Sequence, residues 1–393
     1  MDRKEGFFMK TKKIVALVLA AMMFCTLFAA CSKEESGDID VGFIGPLTGA
    51  VAMYGTTAQK GAQLFIDEYN KAGGLNGRSI NLISYDDKHD ATEATNAYNK
   101  LVSSDEVAAI IGTVTSTPCL AVAQVSVEDN VPIITPTATQ AEVTSFGDNM
   151  FRTCFLDPFQ STNMATFAKN ELGASTAAII CNNDDSYSTG LADRFVEVAG
   201  EIGLEIVALE KYSGTDSDYK AQLTNIAAKN PDVVFVPEYY NGLYMILSQA
   251  KEVGLDAAFL GVDGADGILG IEGVDPTIVE GLYFSNHYST KDESEVVQNF
   301  LKNYKETYNE EPSAFAALAY DAAMNLINAL EKVSETMDID NSDECRAAII
   351  AQLAATSIDG VTGHITYDAD HNSQKACFVI EIVDGDYTLY GKY

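Results

Sequence analysis

The sequence predicts an α/β protein with two Rossmann-like lobes, each a mostly parallel sheet with helices on both faces. Its 393 residues are too many for one ordinary core and suit two domains. From Ile39 onward the period of the apolar residues switches repeatedly between strand and helix, which is the pattern of βα units. The same rhythm restarts after Arg152, so a second lobe resembles the first.

In chain order, Val41–Gly45 is a short apolar run ending at Gly45-Pro46 and reads as a buried strand. Thr57–Ala72 carries apolar residues at helical spacing and stops at Gly73-Gly74. Arg78–Tyr85 reads as a strand, Thr92–Val102 as a helix, Val107–Gly112 as a strand, Thr117–Glu128 as a helix and Pro132–Thr135 as a strand. The second series runs helix Phe159–Leu172, strand Thr176–Asn182, helix Leu191–Ile202 and strand Glu205–Tyr212. It continues with helix Tyr219–Lys229, strand Val233–Val236, helix Leu243–Val253 and strand Phe259–Gly261. The helix-rich stretch Glu295–Thr356 has few strands to cover and is expected to pack back on the first lobe.

A hydrophobic fraction of 47% excludes wholesale disorder. A formal net charge of −32 excludes nucleic-acid binding, which needs clustered Lys and Arg, and argues against adsorption on an anionic membrane. The start of the chain is a targeting segment. Lys10, Lys12 and Lys13 precede an apolar run, Ile14–Ala30, that ends in Leu27-Phe28-Ala29-Ala30-Cys31 and turns polar at Ser32. Small residues directly before a Cys resemble a bacterial lipoprotein signal, in which the Cys becomes the lipidated N-terminus. This gives a signal peptide over 1–30, lipid on Cys31 and a flexible tether over 31–38; Met9 is an alternative start. Cys119, Cys154, Cys181, Cys345 and Cys377 are widely spaced, without a C-x-x-C metal pattern, and read as buried thiols; no metal or cofactor is expected.

Ligands of open α/β sheets sit beyond the carboxyl ends of the strands. One such end is Gly112–Pro118, with Val114, Thr115 and Ser116; Ser116 is placed as an N-cap and Pro118 in the first turn. Free N–H groups and the helix dipole make that end an anion site without a cation. Thr135–Thr139 adds Thr137 and Thr139, whereas Asn182–Tyr187, Pro237–Asn241 and Gly261–Gly267 bring tyrosines and acids. Donors on one lobe and acids on the other are what a zwitterion needs. Arg78, Arg152, Arg194 and Arg346 all lie outside these strand ends, so neutral donors must hold a ligand carboxylate.

These segments, in this order, resemble the extracellular substrate-binding proteins of ABC transporters for branched-chain amino acids. The resemblance includes Ile44–Gly49 with Tyr54-Gly55, Asn70–Gly77, Tyr85–Asp87, Ile111-Gly112 and Thr135–Thr139 with Glu142–Thr144. It continues through Tyr187 with Gly190–Ala192, Pro237–Tyr240, Gln249-Ala250 and Gly363–Asp368. It implies a type I periplasmic binding fold with a three-crossover hinge, one lobe over 39–156 plus 287–375 and the other over 157–286 plus 376–393. By matching position, Ser116 and Thr139 with the backbone at Thr137 would hold an α-carboxylate and Asp263 would meet the α-ammonium. Tyr187 and Tyr239 would close over the ligand, and Tyr54 and Val114 would border its side chain. Asp263 stands where Glu is usual, Ser188 where Gly is usual, and Glu238 adds an acid. The implied partners are an amino acid and an ABC permease, for a monomer held by its lipid at the outer face of the cytoplasmic membrane.

Two other classes compete. A hydrolase would draw on His89, His287, His364 or His371, but no Gly-x-Ser-x-Gly elbow stands at a strand-to-helix turn. A ligand-sensing module shares the architecture, and amides, urea-like molecules or aromatic acids remain open as ligands. The absence of Trp disfavours sugars.

Overall fold

The computed structural model describes residues 37–393, so the expected leader and Cys31 lie outside the described residues. β1 (Ile39–Gly45) is buried along almost its whole length, as a strand covered on both faces must be. It pairs in parallel with β2 (Ile80–Asp86) and β3 (Ala109–Gly112). β4 (Ile133–Thr135) and β5 (Met150–Arg152) complete a parallel sheet of order β2-β1-β3-β4-β5. β5 was not read from the sequence. Three buried residues carry no usable period, and pairing with β4 is what defines the strand.

Helices α1 (Ala52–Lys71), α2 (Ala91–Ser103) and α3 (Ser116–Ser126) connect these strands. α1 begins at Ala52 rather than Thr57. Tyr54 is drawn into the core, and Gly55 lies directly on Pro46, whose carbonyl oxygen would meet an added Cβ at 2.1 Å.

The second sheet takes β6 (Thr176–Asn182), β7 (Glu205–Tyr212), β8 (Val233–Phe235), β9 (Ala258–Gly261) and β10 (Tyr283–Asn286) in parallel. Its helices are α4 (Asp157–Asn170), α5 (Ser186–Ile202), α6 (Lys220–Ala227), α7 (Tyr240–Val253) and the short α8 (Pro276–Val279). α9 (Glu295–Tyr308), α10 (Ala314–Ser334) and α11 (Asp343–Ala354) follow. α10 lies along α1 and over β3 and β4. The approach is close: a Cβ on Gly61 of α1 would fall 2.0 Å from the Ala316 carbonyl oxygen.

After the hairpin β11 (Ser357–Gly360) and β12 (Gly363–Thr366), the chain returns to the second sheet as β13 (Phe378–Val383) and β14 (Asp386–Lys392). Both are antiparallel additions, giving the order β14-β13-β10-β9-β8-β6-β7. The two α/β lobes are therefore joined by the segments 153–156, 287–294 and 367–377. The described cysteines are buried free thiols.

One buried cation fixes the loop after β4. Arg152, at the end of β5, is fully enclosed and donates to the carbonyls of Ala138 (3.0 Å), Gln140 (2.9 Å) and Ala141 (3.1 Å) and to Thr144 Oγ1 (3.3 Å). The loop it grips carries Thr137 and Thr139. Arg152→Met would leave those carbonyls without donors, each at a cost of about 1–3 kcal/mol. Urea denaturation is expected to show a loss of about 3 kcal/mol or more; a loss under about 1 kcal/mol would mean that water replaces the guanidinium.

Candidate functional site

The carboxyl ends of β3 and β4 face those of the second sheet across a narrow cavity of about 10 Å³. Val114, Thr115, Ser116, Thr137 and Thr139 line it from the first lobe, and Tyr187, Tyr239 and Asp263 from the second. Phe315, in the first turn of α10, forms an apolar wall. A cavity of that size holds about one water, so the two sides are drawn together here and a larger guest needs them to part.

On the first side, α3 begins one residue earlier than a Ser116 cap would require. Thr115 holds the cap position in extended backbone, Ser116 is the first helical residue, and neither side chain caps the helix. The reason is that both hydroxyls have other neighbours. Thr115 Oγ1 lies 2.9 Å from His89 Nδ1, and Ser116 Oγ accepts from the Gln140 N–H at 3.3 Å. The first turn of α3 contains no acidic residue. Its N–H groups and dipole therefore favour an anion. Thr137 donates its hydroxyl to the Val114 carbonyl at 2.5 Å, leaving its backbone as the group on offer. Thr139 is fully buried and its hydroxyl has no partner.

On the second side, Asp263 is 2% exposed. Its Oδ1 accepts from Tyr187 Oη (2.6 Å) and Gln160 Nε2 (2.9 Å), and its Oδ2 lies 3.1 Å from His287 Nε2. The Tyr187 ring stacks on Tyr239 with centroids 4.8 Å apart, and the Tyr239 hydroxyl is buried without a partner. Gly264 is required here: an added Cβ would stand 2.8 Å from the Tyr187 hydroxyl oxygen.

Tyr54 lies behind Phe315, stacked on it at 4.1 Å, rather than at the cavity wall. It bridges the lobes, donating to the Gly264 carbonyl and accepting from the Tyr240 N–H at 3.1 Å. Glu238 is also absent from the wall. Its carboxylate turns to the Tyr212 hydroxyl and accepts from the Tyr239 N–H at 2.7 Å, while burial pushes its pKa up to about 7.

Sequence reasoning missed Asp157, Gln160, His287 as a partner of Asp263, and Phe315. Asp157 opens α4 next to Pro158, an acid and a proline in a first turn, which is a start signal that placing the helix at Phe159 overlooked. Its N–H donates to the Thr139 carbonyl (2.9 Å), its Oδ1 accepts from Gln160 Nε2 (3.0 Å), and its Oδ2 has no partner. Burial first, and then the Asp263 charge, raise its pKa to about 8.

Among the described residues no group of His, Cys, Asp or Glu side chains is arranged to hold a metal ion, and no helix is long and apolar enough to cross a membrane. Further hydrogen bonds close the mouth. Thr117 Oγ1 donates to Asp185 Oδ1 (2.7 Å), Tyr240 Oη to the Ala50 carbonyl (3.0 Å), and the Ala314 N–H to Asp266 Oδ2 (2.6 Å).

A polar crevice between two α/β lobes, with donors at one end and a buried acid at the other, is the arrangement of a two-lobed ligand-binding protein. The periplasmic binding protein family matches residues 38–386, and the chain belongs to it. Among curated relatives, the Leu/Ile/Val-binding protein homolog 3 of Brucella melitensis is 30% identical over 356 residues, 89% of this chain and 92% of its own. The leucine-, isoleucine-, valine-, threonine- and alanine-binding protein of Pseudomonas aeruginosa is 29% identical over 352 residues, 89% of this chain and 91% of its own. Among solved structures, the branched-chain amino acid transporter substrate-binding protein LivJ of Streptococcus pneumoniae, in complex with isoleucine, is 34% identical with a TM-score of 0.83. It is matched over 98% of its length and 90% of this chain. The leucine-binding protein LivK of Thermotoga maritima is 31% identical with the same TM-score, over 98% of its length and 90% of this chain. The fold class and family expected from the sequence are both borne out.

The buried acids give stability a pH dependence whose sign is fixed. Burial raises Asp87 and Glu238 to about 7, Asp157 to about 8 and Asp266 to about 6, against about 4 in an unfolded chain. Between those values the fold holds protons that the unfolded chain has released, so stability falls as pH rises. His89 and His287, whose pKa burial lowers, act in the opposite sense only below about 6.5. Without ligand, the melting temperature is therefore expected to fall from pH 6.5 to 8, and less steeply in Asp157→Asn. A rise over that interval would contradict the assignment.

Proposed function

We propose that this protein is the extracytoplasmic substrate-binding component of an ABC importer and that it captures an aliphatic, branched-chain amino acid between its lobes. The observation that carries this reading is the polarity of the cavity. Uncharged donors at Ser116, Thr139 and the first turn of α3 face a buried carboxylate, Asp263, across the cavity that the two lobes share. The relatives' names and the isoleucine complex of the similar LivJ support the same ligand class.

In this reading Ser116, Thr139 and the Thr137 backbone receive the α-carboxylate, and Asp263 receives the ammonium with Asp157 near it. Val114 and Phe315 bound the aliphatic group, Tyr187 and Tyr239 close over it, and Thr115 fixes the turn. Glu238 and Tyr54 support Tyr239 and the lobe contact from behind. The lobes, 39–156 plus 287–375 and 157–286 plus 376–393, close about the segments that join them, because the guest touches both. The role is capture without chemical turnover, as a monomer that docks on a permease, with lipid on Cys31 keeping it at the outer membrane face.

A thermal-shift series over the twenty amino acids tests the ligand class. Leu, Ile and Val are expected to raise the melting temperature, since a ligand at about 100 times its Kd stabilises by about 2.7 kcal/mol. A response only to amides, aromatic acids or sugars would overturn it. Asp263→Ala is expected to abolish the response to amino acids while the variant remains folded by circular dichroism; an unchanged shift would place the ammonium elsewhere.

A further inference from the structure

His287 follows β10, in the second of the segments that join the lobes, and its side chain is completely buried. Its ring stacks on Phe155, in the first of those segments, with centroids 3.7 Å apart. Its Nε2 lies 3.1 Å from Asp263 Oδ2. A carboxylate only accepts, so Nε2 carries the hydrogen and the ring donates. The other nitrogen, Nδ1, is buried without a partner. A second proton there would have no acceptor, and burial keeps the ring's basicity below the ordinary value.

The two oxygens of Asp263 are unequal. Oδ1 already accepts from both Tyr187 and Gln160, whereas His287 is the one side-chain donor that the structure gives to Oδ2. A carboxylate oxygen accepts about two hydrogen bonds, so Oδ2 is the oxygen with capacity for an incoming ammonium. A lysine or arginine in place of His287 would neutralise the acid. The buried cations nearby are engaged elsewhere: Arg152 on carbonyl oxygens, and Lys375 at 3.8 Å from Asp321 Oδ2.

We infer that His287 is a positioning residue for ligand recognition: a neutral N–H donor, braced on Phe155 between two of the segments joining the lobes, that aims Asp263 Oδ2 at the ammonium of an amino acid without cancelling its charge. This rests on the reading above that Asp263 receives the ammonium.

The test compares calorimetric affinities for L-leucine and for isocaproate, which is leucine without its amino group, in the wild type and in His287→Phe, His287→Gln and Asp263→Asn. Phe keeps the ring and the stack but loses the donor. It is expected to weaken leucine about tenfold or more while leaving isocaproate within about twofold. Gln restores an N–H donor and is expected to recover most of the loss. Equal weakening of both ligands by His287→Phe, or no change in either, would overturn the inference. A preference for leucine that survives Asp263→Asn would instead overturn the ammonium assignment beneath it. Should His287→Phe fail to fold, His287→Asn, whose amide is too short to reach Asp263, takes its place with the same expected outcomes.

Discussion

A carboxylate enclosed by protein, with no cation beside it, is the constraint around which this molecule is organised. Taking Asp263 out of water costs several kcal/mol that only good hydrogen bonds can offset. Tyr187, Gln160 and His287 supply them, and each is a neutral donor fixed from elsewhere in the fold. Gln160 turns its carbonyl to the Asp263 N–H and to Ser285, so one amide ties α4, the turn after β9 and β10 together. Tyr187 in turn fixes the plane on which Tyr239 stacks. The carboxylate is thereby stabilised without being neutralised, and the second lobe keeps an unbalanced charge at its inner surface.

The contacts between the lobes are of a different kind. Tyr54 with Gly264 and Tyr240, Thr117 with Asp185 and Ala314 with Asp266 are hydrogen bonds that water can replace when the crevice opens. Exchanging protein for water partners gains only about 0.5–1.5 kcal/mol per bond. Such a seam leaves the two arrangements close in free energy, so that a guest touching both sides decides between them. Asp266 adds a restraint of its own: it accepts from the first N–H of α10, where the helix dipole favours an acid, yet burial raises its pKa to about 6.

Much of this was legible in the residues because the relevant signals are local. Strands covered on both faces read as apolar runs, as Thr176–Asn182 does, and the half-exposed edge strand Glu205–Tyr212 also begins and ends where the sequence places it. The strand ends were legible as hydroxyl and tyrosine clusters, so most of the cavity wall was named in advance. What escaped was non-local. β5 exists through its neighbour, Asp157 meets the Thr139 carbonyl only because the chain changes lobes there, and His287 meets Asp263 through the joining of β9 to β10. Glu238 shows the converse: an acid next to a site tyrosine in sequence, buried but turned away from the cavity because Tyr212 and a backbone N–H satisfy it.

In the proposed reading, the placement of arginine sets the selectivity at the other end. Arg152 would be the obvious counter-ion for a ligand carboxylate, but it lies behind the loop and holds the carbonyls of Ala138, Gln140 and Ala141. Its charge sets the shape of the donor cradle instead of contributing to its contents. The anion end then offers only dipoles and hydroxyls, while the cation end offers a full charge. A guest with a lone carboxylate meets an uncompensated acid, and a guest with two carboxylates meets it as well as the field of a chain of net charge −32. A molecule whose own charges cancel escapes both penalties, and on the proposed assignment its ammonium supplies the partner that neutral donors alone leave Asp263 without.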